Sequence, residues 1–159
     1  MFLNKIKLFL VTSICLIFFF FTYIDVKSYE IKIVDGDTIL LNGEKIRFSG
    51  IDTPELKQTC KKKTEVVYCG ILAKKLLIKK IGKNHVKCIS EGKDQYNRTL
   101  AECFVKNLSL SSFLVKEGYA FAYRKYSKKF IVDEDYARLN KLGMWSMNFE
   151  YPWDYRKKH

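Results

Sequence analysis

Residues 34–55 read VDGDTILLNGEKIRFSGIDTPE, and this stretch decides the fold expected for the chain. The Asn-Gly pair at 42–43 is the strongest short-range signal for a two-residue hairpin turn. The residues on either side of it follow an extended pattern, in which Ile46 and Phe48 share one face and Arg47 lies on the other. The sequence therefore predicts paired strands with Arg47 directed away from the hydrophobic core.

The same stretch also collects the residue types of a metal and phosphate site. Crowded carboxylates favour a divalent cation, and the planar fork of an arginine fits two phosphate oxygens. A second arginine, Arg98, follows in the loop-like sequence DQYNR at 94–98 and would hold a phosphate from the other side. The alternative is two ordinary turns around a strand, because Asp-Gly and Thr-Pro are common turn dipeptides. The Asp-Gly segment or the Thr-Pro segment alone favours an ordinary turn. The two acidic segments and the two arginines, taken together in this order, favour metal-dependent phosphodiester hydrolysis.

Taken in order, these motifs resemble the staphylococcal nuclease (thermonuclease) family. The shared pattern is a DGDT turn, a strand bearing an arginine, a DTPE loop and a later Tyr-x-Arg, and it covers residues 29–145. The resemblance implies an α+β fold, a five-stranded OB-type barrel with three helices. It also implies a calcium-dependent endonuclease that hydrolyses DNA and RNA and leaves 3′-phosphate ends.

The resemblance further implies a Ca²⁺ site in this chain. Asp37 and Asp52 would be direct ligands, Thr53 would add its backbone carbonyl, and Asp35 would lie in the outer coordination sphere. Hard oxygen ligands of this kind suit calcium, which tolerates flexible coordination.

The catalytic and substrate-binding residues are implied in the same way. Glu55 would orient or deprotonate the attacking water, and Arg47 and Arg98 would bind the scissile phosphate. The groove for sugar and base would be lined by Tyr96 and by Tyr123 or Tyr126. The family usually has glycine where this chain has Asn97, and asparagine tolerates the left-handed backbone conformation better than most residues.

Two other function classes compete with the nuclease. A non-catalytic nucleic-acid-binding OB-fold protein would use basic and aromatic residues and would not need Glu55. A cell-surface interaction domain would leave the arrangement of acids and arginines unexplained. The complete set of residues favours the enzyme.

The first 28 residues have the pattern of an export segment. Lys5 and Lys7 precede an apolar run over residues 8–24, which is longer than a usual signal core and slightly shorter than a spanning helix. The sequence thus predicts a signal peptide or N-terminal membrane anchor over 1–28 and a nuclease-like domain over 29–159. If the export segment is cleaved, we expect the domain to be secreted or periplasmic. If it is not cleaved, we expect it to tether the domain to the outer face of the inner membrane.

The chain is strongly basic, with a formal net charge of +12. Residues 29–159 keep 26 basic and 16 acidic side chains, a net charge of +10, which favours a polyanionic partner and salt-sensitive binding. We expect DNA and RNA as partners, preferably single-stranded or frayed, and predict no protein partner. Basic runs such as 61–63 and 156–158 are interpreted as solvated surface.

Four cysteines follow the export segment: Cys60, Cys69, Cys88 and Cys103. Four cysteines allow three pairings, and a zinc site is the competing interpretation, although there is no Cys-x-x-Cys spacing. Export favours disulfides. The extended stretches 85–89 and 99–105 would run antiparallel across the Arg98 turn, so we predict Cys88–Cys103 and Cys60–Cys69.

Helical periodicity appears in three places, over residues 66–81, 108–117 and 132–142. A glycine follows each stretch, at Gly82, Gly118 and Gly143, which is typical of a helix C-terminus. Trp145 and Trp153 are interpreted as core or end-packing residues. The tail after Trp145 has no secondary-structure assignment from its sequence.

Overall fold

The computed structural model of this chain describes residues 29–159. The predicted export segment over 1–28 lies outside the described residues. Within residues 29–159, no helix has both the length and the apolar character needed to cross a membrane.

The fold is α+β, as predicted, and its largest sheet is built around the 34–55 segment. The strands are β1 Ile31–Ile33, β2 Thr38–Leu41, β3 Glu44–Phe48, β4 Ile51–Asp52, β5 Thr59–Lys62, β6 Glu65–Tyr68, β7 Lys87–Lys93, β8 Thr99–Val105, β9 Leu108–Ser109 and β10 Phe121–Ala122. The five principal strands of the largest sheet are ordered β1-β2-β3-β8-β7, with β9 added to β8, while β4 pairs with β10 and β5 with β6. All described strand pairs are antiparallel except β3 with β8, which are parallel.

The hairpin predicted between β2 and β3 is confirmed. Asn42 and Gly43 both have positive φ angles, 50° and 84°, as a tight primed turn requires. The alternation along β3 is also confirmed, because Ile46 and Phe48 are buried whereas Arg47 is only partly buried. Strand pairing thereby places Arg47 opposite Thr38, next to the DGDT turn.

Within residues 29–159 the three predicted helices exist with shorter bounds, and the tail adds a fourth. They are α1 Cys69–Ile81, α2 Leu110–Lys116, α3 Ile131–Leu139 and α4 Pro152–Lys158, with a 3₁₀ helix at Gly143–Ser146. The prediction that the first helix begins at residue 66 was wrong, because residues 65–68 pair with β5 as a hairpin. The tail helix begins at Pro152, a residue whose fixed φ suits the first helical position.

Two hydrophobic clusters hold these elements together. The larger cluster lies between the main sheet and helices α1 and α2, with Phe48, Leu77 and Leu110 among its buried members. The smaller one surrounds the fully buried Phe121 and includes Trp145 and Trp153 as partly buried members. The tail therefore packs against the body of the domain.

Both predicted disulfides are present in the described structure. Cys88 and Cys103 lie directly opposite each other on β7 and β8, and Cys60 joins β5 to Cys69 at the start of α1. The first bridge braces the two strands that flank the Arg98 turn, and the second closes the loop that follows Glu55.

Candidate functional site

Strand pairing brings the two predicted acidic motifs together. Asp37 immediately precedes β2, whose first residue, Thr38, pairs with Arg47 on β3. Asp52 is the last residue of β4 and pairs with Phe121 on β10. The Asp52 side chain is fully buried. Residues separated by up to 15 positions in sequence thus meet at one end of the sheet.

Arg47 bridges the two aspartates. Its Nη1 donates to Asp37 Oδ1 at 2.8 Å and its Nη2 donates to Asp52 Oδ1 at 2.7 Å. Both carboxylates are almost completely buried, and Arg47 is mostly so. The guanidinium fork is therefore held by two acids, in the fixed geometry that bidentate recognition requires.

The DGDT turn and the DTPE loop touch directly. The backbone N–H of Thr53 donates to Asp37 Oδ2 at 3.1 Å, and that of Asp37 donates to Asp35 Oδ1 at 3.1 Å. A Cβ on Gly36 would lie 2.8 Å from Thr53 Oγ1, so the close approach of the two loops depends on this glycine.

The loop that carries Glu55 is fixed by a fully buried glutamine, Gln58. The Glu55 N–H donates to Gln58 Oε1 at 3.2 Å, and Gln58 Nε2 donates to the Glu150 carbonyl at 2.7 Å. On its other side the loop packs on α1 so closely that a Cβ on Gly70 would lie 2.0 Å from the Glu55 carbonyl oxygen. The Glu55 side chain itself stays 45% exposed, at the rim of the cleft.

Burial raises the pKa of Asp37 from its ordinary 3.8 to about 7. The Arg47 guanidinium opposes this rise in the pKa, whereas the nearby charges of Asp35 and Asp52 add to it. The charge of Asp37 is therefore disfavoured by burial and by repulsion from two neighbouring carboxylates. A bound divalent cation would relieve this repulsion.

The oxygen donors at this site fit a calcium-type cation that takes only a few of its ligands from the protein. Asp37 and Asp52 offer hard carboxylate oxygens and the adjacent loop offers backbone carbonyls, with remaining positions left to water. No cluster of three or more His, Cys, Asp or Glu side chains within residues 29–159 is arranged to hold a metal ion. With two carboxylates and loop carbonyls as its donors, the set suits a cation that shares its coordination shell with water and substrate.

Replacing Asp37 by asparagine is expected to stabilise the fold at pH 8. With a pKa raised to about 7, the folded carboxyl binds more protons than the unfolded one, so stability falls as pH rises from about 4 through 7. The uncharged amide escapes this cost, which is about 4 kcal/mol at pH 8 for a shift of this size. Urea unfolding in chelator at pH 8 and pH 5 should show the gain at the higher pH and a smaller one at the lower.

The Asp135→Asn variant serves as the matched control for this measurement, because Asp135 is a half-exposed aspartate whose ion pair is with Arg138 on the same helix. It removes the same charge far from the cleft and should change stability little at either pH. A loss of stability at both pH values in the Asp37 variant would show that the Arg47 ion pair outweighs the burial of the carboxylate.

The second predicted arginine lines the same cleft from the β7–β8 turn. Asn97 adopts the left-handed conformation at φ 61°, so the turn forms without glycine. The Arg98 Nε donates to Asp94 Oδ2 at 2.6 Å, and its guanidinium lies 5.5 Å from the centre of the exposed Tyr96 ring. Arg98 therefore faces the cleft while held by Asp94, and does not join the ion pairs around Arg47.

The cleft between the acidic loops and the β7–β8 turn has a volume of about 1000 Å³. All predicted site residues except the buried Asp52 contribute to its lining. It is lined by Asp35, Asp37, Lys45, Arg47, Phe48, Ser49, Gly50, Ile51, Thr53, Pro54, Glu55, Lys93, Asp94, Gln95, Tyr96, Arg98, Leu100, Tyr123, Tyr126 and Arg156.

Aromatic side chains form one edge of the cleft. Tyr123 and Tyr126 meet edge to face, with ring centres 4.9 Å apart. Tyr123 also stacks on Trp153, at 5.7 Å and nearly parallel, and Trp153 stacks in turn on Tyr151 at 4.7 Å. Trp153 is partly buried and packs as predicted at the end of the domain, although it also supports a cleft residue.

One residue that contacts the acids of the site, Arg156, was not predicted from the sequence. Its Nη2 donates to Asp52 Oδ2 at 2.6 Å, and its Nη1 donates to Glu55 Oε1 at 3.0 Å and to Asp52 Oδ1 at 3.2 Å. The interpretation of the run 156–158 as solvated surface was therefore wrong for its first residue. The Pro152 start signal could have predicted the helix, but not its contact with residues about 100 positions earlier.

Comparison with known proteins agrees with this arrangement. Residues 45–147 match the family model described as "Staphylococcal nuclease homologue". The chain is 32% identical over 152 residues to an "Uncharacterized endonuclease" of Haemophilus influenzae, which covers 87% of this chain and 79% of the relative. It is 29% identical over 151 residues to the "Micrococcal nuclease" of Shigella flexneri, covering 84% and 82%.

Plant proteins match over the same region but are much longer. The "Probable staphylococcal-like nuclease CAN2" of Oryza sativa subsp. japonica is 32% identical over 137 residues, which make up 84% of this chain and 35% of the relative. A second rice protein matches in the same way over 34% of its length. The chain thus spans about a third of the length of these rice relatives.

Proposed function

The chain belongs to the staphylococcal nuclease family, and from that premise we propose that it is a calcium-dependent endonuclease hydrolysing DNA and RNA. The observation that carries the proposal is the meeting of Asp37 and Asp52 on the fork of Arg47, with Glu55 at the rim of the same cleft. The "Micrococcal nuclease" name of the Shigella flexneri relative supports the same activity.

In this proposal Asp37, Asp52 and the Thr53 carbonyl would hold Ca²⁺, and Asp35 would lie in its outer coordination sphere. The bound cation supplies charge neutralisation at the phosphate. Asp37 and Asp52 are almost completely buried, so their carboxylates would interact with a cation more strongly than carboxylates at an open surface.

Glu55 is the residue proposed to act on the attacking water. Its exposed carboxylate lies on the cleft wall and its backbone is fixed by Gln58. It can orient a water molecule towards the phosphorus and accept its proton, whereas the buried acids have no such access. Hydrolysis of the bond to the 5′ oxygen then leaves a 3′-phosphate.

Arg47 and Arg98 are proposed to bind the phosphate from opposite walls. The fork of Arg47 is oriented by two acids, and its fixed charge stabilises the extra negative charge of a pentacoordinate phosphorus. Arg98 adds positive charge from the β7–β8 turn. Preorganised donors of this kind lower the barrier without having to move during the reaction.

The aromatic wall favours a single-stranded or frayed substrate. Tyr96 and Tyr126 are more than two-thirds exposed at the cleft, and exposed rings stack on unpaired bases of any sequence. The net charge of residues 29–159 adds a salt-dependent attraction for the phosphate backbone.

We also propose that the domain acts outside the cytoplasm, as a secreted or periplasmic protein or tethered to the membrane through residues 1–28. The two disulfides support this location, since such bonds persist in oxidising compartments.

The test is digestion of single-stranded DNA and RNA by the purified full chain in mild detergent, with calcium and with chelator. Cleavage is expected only with calcium, and end-labelling of the products should find 3′-phosphates. A protein that binds single-stranded DNA but cuts nothing in calcium is the non-catalytic OB-fold binder, and cleavage in chelator would remove the cation from the reaction.

A further inference from the structure

The tail places a third arginine on the acids of the proposed metal site. Arg156 contacts both carboxylate oxygens of Asp52 and one oxygen of Glu55, at 2.6 to 3.2 Å. Arg47 already donates to Asp52 Oδ1. Asp52 therefore accepts three hydrogen bonds from two guanidinium groups, and little of its lone-pair capacity is left for a cation.

The base of the tail is anchored, whereas Arg156 itself is accessible. The Glu150 carbonyl accepts from Gln58, Asn148 forms a backbone bridge with Lys61, and Pro152 is buried. The Arg156 side chain remains 38% exposed, against 0% for Asp52. A rotation of this long side chain can break its ion pairs without unpacking the tail.

We propose that Arg156 and a divalent cation are alternative counter-ions of Asp52 and Glu55. Cation binding displaces the Arg156 guanidinium from the acids, and loss of the cation allows it to return. The contact neutralises the buried Asp52 and the partly exposed Glu55 when the cation is absent, and it lowers the apparent affinity for the cation. This inference rests on the proposed function, because it assumes that Asp52 takes part in cation binding.

Calorimetric titration of the full chain with calcium tests the exchange without measuring cleavage. Arg156→Gln should bind calcium about tenfold more tightly than the parent, since a competing positive charge in contact with the acids is removed. Arg156→Lys keeps the charge but loses the fork, so its affinity should lie between the two.

Lys157→Gln is the matched control. It removes the same charge from the same helix, but Lys157 pairs with Asp154 and not with the site. Its calcium affinity should stay within twofold of the parent. Equal affinities for the parent and both Arg156 variants, or an equal gain in the Lys157 variant, would overturn the exchange while leaving calcium binding intact.

Chemical modification of arginine follows the displacement directly and needs no variant. Phenylglyoxal should modify Arg156 several-fold faster in calcium than in chelator, as read by peptide mass spectrometry. The exposed Arg138, paired with Asp135, should react equally in both. Arg156 that is equally or better protected in calcium would show that cation and arginine bind together, against the proposal. If no form of the protein binds calcium, the cation site of the proposed function fails first and the exchange fails with it.

Discussion

Replacing Arg47 by lysine is expected to reduce calcium-dependent cleavage of single-stranded DNA by about 10²- to 10³-fold, the usual cost of losing one preorganised donor. Lysine keeps the charge but has a single ammonium in place of the fork. It cannot span Asp37 and Asp52 as Arg47 does at 2.8 and 2.7 Å, nor offer two parallel donors from separate nitrogens to one phosphate. The measurement is the initial rate at saturating calcium.

The fold should survive the Arg47 substitution, because strand β3 is held by Ile46, Phe48 and its two neighbouring strands. Thermal unfolding of the same sample checks this. Arg138→Lys, on an exposed arginine outside the cleft, is the matched control and should cleave like the parent. Cleavage by the Arg47 variant within a few-fold of the parent would contradict a bidentate phosphate contact.

Local sequence was sufficient to predict the part of the site that lies on the hairpin. The Asn42-Gly43 turn fixes the register of β2 and β3, and the register decides that Arg47 faces Thr38. The Cys88–Cys103 bridge was predictable for the same reason, since two strands joined by a short turn bring opposite residues within bridging distance.

Longer-range contacts were not predictable from local pattern. The first helix begins at Cys69 because residues 65–68 are used in a hairpin with β5, a pairing that overrides their helical periodicity. Gln58, which ties the Glu55 loop to the tail, has no sequence signal because its partners are backbone groups. Charge pattern alone also could not separate Arg156 from the lysines that follow it.

The central hairpin and the tail helix meet at one carboxylate. Asp52 lies between Arg47 from the hairpin and Arg156 from the tail helix, so the tail is part of the site. Truncation before Pro152 would remove an arginine from Asp52 and Glu55 and the Trp153 ring that supports Tyr123. The family model, which matches residues 45–147, ends before this helix.

Replacing Glu55 by glutamine is expected to separate cleavage from binding. The amide keeps the size of the side chain and can still accept a hydrogen bond from Arg156 Nη1, which now lies 3.0 Å from Glu55 Oε1. It cannot take a proton from water, so cleavage should fall by about 10²- to 10⁴-fold, the usual contribution of a general base. Affinity for single-stranded DNA depends on the arginines and the basic surface and should remain within a few-fold of the parent.

The two quantities should be measured side by side at one salt concentration, because the charge contribution to binding changes with ionic strength. Glu91→Gln, on the exposed strand β7, removes the same charge away from the cleft and controls for the gain in net positive charge. A Glu55 variant that cleaves as fast as this control would remove Glu55 from the chemistry. A variant that loses binding and cleavage together would instead assign Glu55 to holding the site, through Arg156 and Asp52, and would leave the attacking water to another group.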